Sequence, residues 1–506
     1  MRLHLKSSTD VLDHIFTSPI LLRVVIPALL ALGALAALPN RDESQYVAGA
    51  VLVSKAQPFG DFLALQPSLT LWVWMPFAVA VPGWAFLAVR LSSALFSVAM
   101  LWMVHAAERL LGISSDKAIG APLMACCHIV LFIASVARND AFPGMLLTLG
   151  MWAGLKGLAG GTPWLSLSGL ALGLAGAAKL SFLPPLACVA VALFFLRGTI
   201  GWRGLTLFAL SAALGVLPIA VDAIRWPDAY WYGVFKFGAV APPDWYRLAG
   251  RGSELGSAAK LLATLGALAA GPALAALIMV LRQIGRIRFD PRRLFLIALI
   301  LGGLAGGILP TPSHPQYLLP MLPPLFVLLS LDLAMSSDRR PALLVLGAFG
   351  LVGLTPSLAA LSQGFPALAS ERQAHQIHAI AASHGVRGTI ATLSPQRVVD
   401  SGLTIDRRFA TGPFVFRSPE TLSADEGRRF HVATPDTLAA MFADSPPQAI
   451  LTGYEPGWRP GMAAVDAPLR AWAVARRYHG IALSDGQGQL YLRPARRRLS
   501  APHPRR

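Results

Sequence analysis

The sequence predicts an all-α polytopic membrane protein, with about eleven transmembrane helices plus interfacial helices, that ends in a small extracytoplasmic α/β domain. Three observations carry this expectation. Apolar runs of roughly 17–25 residues recur along the chain, the length a helix needs to cross a bilayer. The 506 residues are 55% hydrophobic and only 14% charged, whereas a soluble domain carries about a quarter charged residues. After about residue 362 the long apolar runs stop, and helical periods mix with short strand-like pieces.

In chain order, the predicted spans cover residues 20–39, 84–106, 118–137, 141–158, 164–179, 181–196, 204–224, 258–281, 294–310, 315–335 and 341–361. The runs at 164–179 and 181–196 are short, and Pro184-Pro185 interrupts the second. Residues 67–81 are apolar but carry Pro67 and Pro76, with Pro82 just beyond. They are expected to lie at the interface, with Trp72 and Trp74 at headgroup level. No cleavable signal is expected, since 20–39 is long enough to span.

Charge supports that choice. With the N-terminus inside, Arg2, Lys6, Arg23, Arg109, Lys117, Lys156, Arg197, Arg203, Arg282, Arg286, Arg288, Arg292, Arg293, Arg339 and Arg340 fall on the cytoplasmic side. Counting 67–81 as a span would place the cluster 282–293 outside. The net charge of +17 is therefore that of membrane loops, and no nucleic-acid partner is implied. Cys126, Cys127 and Cys188 all lie in apolar runs and imply no disulfide framework. The chain divides into a membrane domain at 1–362, with a first outer loop at 40–83, an extracytoplasmic α/β domain at 363–495 and a basic tail at 496–506. In the second domain, Gln373 to Ser383 and Asp436 to Phe442 read as helices. Gly388 to Leu393, Pro413 to Phe416, Ala449 to Leu451 and Gln489 to Leu492 read as strands.

Polar residues concentrate on the predicted outer face. Asn40-Arg41-Asp42-Glu43-Ser44-Gln45-Tyr46 follows the first span, and Arg138-Asn139-Asp140 joins the third and fourth. Carboxylates there either cap the next helix or serve a site beside the membrane. Arg90 lies about six residues into the second span, roughly 9 Å deep at 1.5 Å per residue, and Lys179 closes the fifth. Each either snorkels to the interface or binds a phosphate. His314 and Tyr317, in the late turn Thr311 to Tyr317, offer hydrogen bonds to a ligand. The outer loop 225–257 carries Arg225, Lys236, Arg247 and Arg251 among aromatics, a weak signal for a sugar or headgroup.

These motifs, in this order and on one face, resemble the GT-C glycosyltransferases. Asp42-Glu43-Ser44-Gln45-Tyr46, Ala48 and Gln66-Pro67 are similar to the first outer loop of protein O-mannosyltransferases and of the aminoarabinose transferases that modify lipid A. Asp140 falls where that family places its second loop acid. Lys179 matches a recurrent lysine, and His314 to Pro320 resembles the late outer turn. The resemblance covers about residues 15–335. The sequence departs from the lipid A transferases at Leu65 and Gln66, where they carry an acid and a lysine. That loses a phosphate-contacting cation and counts against aminoarabinose transfer to lipid A.

The resemblance implies a GT-C catalytic domain in the cell (inner or plasma) membrane. It would transfer a sugar from a polyprenyl-phosphate carrier to a lipid, glycan or protein acceptor on the outer face. Asp42 would be the base and Asp140 the supporting acid. Glu43, Tyr46, Arg90, Arg138, Lys179, His314 and Tyr317 would bind substrate. No cofactor beyond the lipid-linked donor is required; two carboxylates leave room for a divalent metal, but no ligand spacing demands one. The alternatives are a lipid or sugar flippase, which would place ionisable groups near mid-membrane on broken helices, and a non-catalytic envelope-assembly subunit.

Overall fold

The computed structural model describes residues 15–284, 290–457 and 461–494. Arg2, Lys6, Arg286, Arg288 and the basic tail lie outside the described residues. All eleven predicted apolar segments are largely helical, but not as eleven uniform spans. Ala85–Leu110, Arg197–Arg225, Pro291–Ile308, Pro315–Ala334 and Arg340–Ser383 are long and apolar enough to cross a membrane. The pair Ser257–Ala269 and Ala273–Gln283, bent by 97°, adds a sixth if it is one span. Leu21–Ala36, Leu69–Ala80 and Leu180–Phe195 are apolar but shorter.

Two breaks meet each other, which explains part of the shortfall. The predicted span 118–137 is split into Gly120–Ala125 and His128–Ser135. The amide released at His128 donates to the Ala270 carbonyl, 2.9 Å away, at the bend of the 257–284 pair. Irregular backbone is tolerated in an apolar interior when its polar groups find such partners. Gly271 turns the bend with φ +141°, and a Cβ there would stand 2.7 Å from Cys127 Cα. Elsewhere, helix Thr162–Ala178 packs on Arg197–Arg225 through glycines. A Cβ at Gly169 or Gly173 would come within 2.2 or 2.4 Å of the carbonyls of Phe208 and Ala212. Such small-residue seams let apolar helices approach closely without a hydrophobic driving force.

The predicted interfacial segment is helix Leu69–Ala80. Trp74, however, is fully buried and meets Tyr46 edge-on at 6.0 Å. It is a packing residue, not a headgroup anchor, because the first outer loop covers it. Ser68 Oγ donates to Asp222 at 2.7 Å, tying this helix to the far end of Arg197–Arg225.

The C-terminal region builds a five-stranded sheet from β1 (Thr389–Ala391), β2 (Thr404–Ile405), β3 (Ala449–Thr452), β4 (His479–Ala482) and β5 (Gln489–Leu492). The order is β2-β1-β3-β5-β4. β1 runs parallel to β2 and β3, and β5 is antiparallel to β3 and β4. Alternate β3 residues face opposite cores. Ile450 packs with Phe409, Phe442 and Tyr491, whereas Ala449 and Leu451 join the core continuous with the membrane helices. Pro413 to Phe416, expected as a strand, is a helical turn. Gly412, at φ +59°, reverses the chain, and Pro413 then sets the first helical residue.

This region is fastened to the end of the helix bundle that carries the first outer loop. Asp400 accepts from the amides of Ala85 (2.8 Å) and Phe86 (3.1 Å), and Glu371 accepts from Leu87 (3.1 Å). Helix Ala85–Leu110 thus begins with three of its unpaired donors satisfied by carboxylates, which also suit its positive end.

Candidate functional site

A cavity of about 780 Å³ opens at this end of the bundle. Its walls come from the first outer loop, the turn 309–317, the helix Phe237–Leu248 and the 414–418 segment. Asp42, Tyr46, Arg138, His314 and Tyr317 line it.

Asp42 starts helix Glu43–Leu52, yet its side chain makes no capping bond. Asn40 does that work: its Oδ1 accepts from the Asp42 amide at 2.9 Å, while Glu43 reaches back to the Asn40 amide at 2.7 Å. The Asp42 carboxylate is left to pair with Arg138. Arg138 also reaches Asp140, Nε to Oδ2, at 3.3 Å, because the turn between Val136 and Asp140 folds back on itself through short-range backbone bonds. Asp140 is in turn ion-paired with Lys179. Lys179 lies 4.7 Å from the centroid of the Tyr317 ring. Two carboxylates and two cations thus alternate in one chain of contacts. Asp42 is 31% exposed at its cavity end and Asp140 fully buried.

Neutral groups complete the wall. Tyr46 donates to Asn139 Oδ1 at 2.8 Å, and Asn139 reaches Gln66 at 3.4 Å. His314 sits edge-on to Tyr317 with ring centroids 5.4 Å apart. Burial, reinforced by the charges of Arg138 and Lys179, pushes its imidazole down to about 4.

The structure therefore brings Asp42, Tyr46, Arg138, Asp140, Lys179, His314 and Tyr317 together, with Asp140 and Lys179 behind the wall. Glu43 and Arg90 stand apart as a fully buried ion pair. Arg90 spends every N–H: two bonds go to Glu43 at 2.7 and 2.6 Å, and three go to the carbonyls of Ala34, Ala37 and Leu38. Glu43 also accepts from the Ala137 amide at 2.7 Å. With no donor free on Arg90, this pair ties the start of the first outer loop to helix Ala85–Leu110 and to the turn at Ala137. Two cavity residues carried little or no sequence signal: Arg251, one cation among several in a long loop, and Arg417, in a region without a motif. Among the described residues, no group of three or more His, Cys, Asp or Glu is placed to hold a metal ion.

With this geometry in view, the fold can be compared with solved structures. ArnT from Cupriavidus metallidurans bound to undecaprenyl phosphate superposes with a TM-score of 0.60 at 14% identity, covering 94% of this chain and 98% of that one. The apo state of the same protein gives a TM-score of 0.58 at 14% identity, over 93% of this chain and 97% of that one. The chain has the GT-C glycosyltransferase fold. No protein-family model matches the sequence, and no curated protein matches it. The likeness extends over nearly all of both chains, so the C-terminal region is included in it along with the membrane helices.

Proposed function

We propose that this GT-C protein is a glycosyltransferase of the cell membrane. It moves a sugar from a polyprenyl-phosphate carrier to a hydroxyl of a lipid, glycan or protein acceptor on the outer face. The carrying observation is the Asp42 carboxylate, free of its own helix, held by Arg138 and presented to a cavity at one end of the bundle. That ArnT of the same fold was solved with undecaprenyl phosphate bound supports a lipid-phosphate donor.

The chemistry follows from the groups present. An acceptor hydroxyl is a weak nucleophile, so Asp42 takes its proton as the oxygen bonds to the anomeric carbon of the donor sugar. The bond between that carbon and the carrier phosphate oxygen breaks, and the phosphate leaves with the electron pair. Arg138, fixed between the two carboxylates, orients Asp42 and faces the charge developing on the leaving group. Asp140 and Lys179 hold Arg138 in place from behind. His314, neutral at physiological pH, serves as a hydrogen-bonding partner and not as a fixed cation.

Asp42→Asn tests the reading. Purified in detergent and supplied with polyprenyl-phosphate sugars and membrane extract, it should bind donor but transfer about 10²–10⁴-fold more slowly. Retention of more than about a tenth of normal turnover would remove Asp42 as the base.

A further inference from the structure

Three guanidinium groups line the cavity: Arg138, Arg251 and Arg417. Arg138 is committed to Asp42 and Asp140, and Arg251 to a two-bond contact with Glu254 at 2.6 and 2.7 Å. Arg417 differs. Among the described residues its side chain makes no hydrogen bond and no ion pair, and it lies between two aromatic rings. Its guanidinium carbon is 5.2 Å from the Trp245 ring centroid and 4.7 Å from that of Phe414. The indole Nε1 of Trp245, also in the cavity wall, is buried and unpartnered as well. Burial draws the Arg417 pKa down to about 10, so the group remains charged at neutral pH.

A half-buried guanidinium whose fork has no protein partner is open to a ligand that can complete it. Planar N–H pairs fit a phosphate or carboxylate, and the flanking rings fix the plane and offer faces to a sugar. Arg417 also belongs to the C-terminal region, and its charged neighbours are Glu455 and Arg41, not the cations that surround His314. We infer that Arg417 and Trp245 form an acceptor subsite that recognises an oxyanion, phosphate or carboxylate, carried on the acceptor sugar. This rests on the glycosyltransferase reading and gives the acceptor a chemical class.

The test needs no turnover, so it can fail independently of the Asp42 experiment. Full-length protein in nanodiscs is titrated by saturation-transfer NMR with glucosamine 1-phosphate, glucuronic acid and uncharged methyl glucoside, and separately with a polyprenyl phosphate. Wild type should bind at least one of the two anionic sugars about tenfold or more tighter than methyl glucoside, and which one it prefers separates phosphate from carboxylate. Arg417→Gln should abolish that preference and Arg417→Lys should restore part of it, while polyprenyl phosphate binding stays unchanged in both. Equal binding across the sugars, or an unaltered preference in Arg417→Gln, would overturn the assignment. So would loss of polyprenyl phosphate binding, which would give Arg417 to the carrier.

Discussion

Asp140 and Lys179 form an ion pair whose loss would reach the site through Arg138. Both are buried, and Asp140 touches Arg138, which touches Asp42. Lys179→Met would leave the buried Asp140 charge with only its 3.3 Å contact to Arg138 and should cost less than the about 3–5 kcal/mol of a wholly unpaired buried charge. The double variant Asp140→Asn, Lys179→Met should be less damaged than the two single effects added, since no lone charge remains. Denaturation of the purified variants measures this. If Lys179 instead contacted the donor phosphate directly, donor affinity would fall with stability unchanged. The sequence placed Asp42, Asp140 and Lys179 on one face because each closes or opens an apolar run. It did not reveal that Lys179 faces Asp140, since pairing partners 39 residues apart leave no local pattern. Nor did it show that Arg90 is saturated by carbonyls. His314 adds a pH prediction. Its folded value, about 4, lies below the ordinary histidine value of 6.5, so the unfolded chain binds the extra proton first. His314 therefore stabilises the fold fully above pH 6.5 and loses that contribution as pH falls toward 4. Melting curves across that window should show a slope that His314→Gln lacks.

At the scale of elements, the order of helices was largely legible and their lengths were not. Apolar periodicity finds a helix but is blind to a break such as Cys126-Cys127, which no Pro or Gly marks. That break exists because the bend at Gly271 offers a carbonyl 2.9 Å from the His128 amide. The sheet shows the same limit. β3 is buried on both faces and apolar from Ala449 to Leu451, so it stood out, whereas β2 has two residues and β4 is mostly exposed. Pro413 to Phe416 looked strand-like from its apolar content, but the backbone turn set at Gly412 decided otherwise. The junction of the C-terminal region with helix Ala85–Leu110 is equally hidden in sequence, being a contact 315 residues apart. Asp400→Ala would remove the acceptors of the Ala85 and Phe86 amides and leave Leu87 with Glu371. A lost N-terminal cap costs roughly 0.5–2 kcal/mol, and the loss should fall on the docking of the C-terminal region. Faster proteolysis between residues 389 and 494, with the membrane helices still resistant, is the expected result. Uniform loss of resistance would show instead that Asp400 supports the whole bundle.

On the scale of the whole molecule, the two ends of the bundle are distinct. One end gathers the first outer loop, the link between Ser68 and Asp222, the bond between Tyr232 and Thr421 at 2.8 Å, and the C-terminal sheet. Helix Ala85–Leu110 runs from there to the opposite end. There Lys117 reaches the Ala334 carbonyl at 3.5 Å, and Arg339 donates to the Asp116 carbonyl at 2.9 Å. Arg109, Lys117 and Arg339, three of the cations expected inside, thus occur together at the end away from the cavity. The positive-inside rule then predicts that the cavity end is the outer one. Single cysteines at Arg282 and Asp436, both exposed, test this in a background without Cys126, Cys127 and Cys188. A maleimide that cannot cross the membrane should label Asp436→Cys in intact cells, and Arg282→Cys only after permeabilisation. The reverse pattern would require Leu69–Ala80 to count as a full span. It would also turn the cavity, with Asp42 and Arg417, toward the cytoplasm, where the acceptor would have to be a cytoplasmic one.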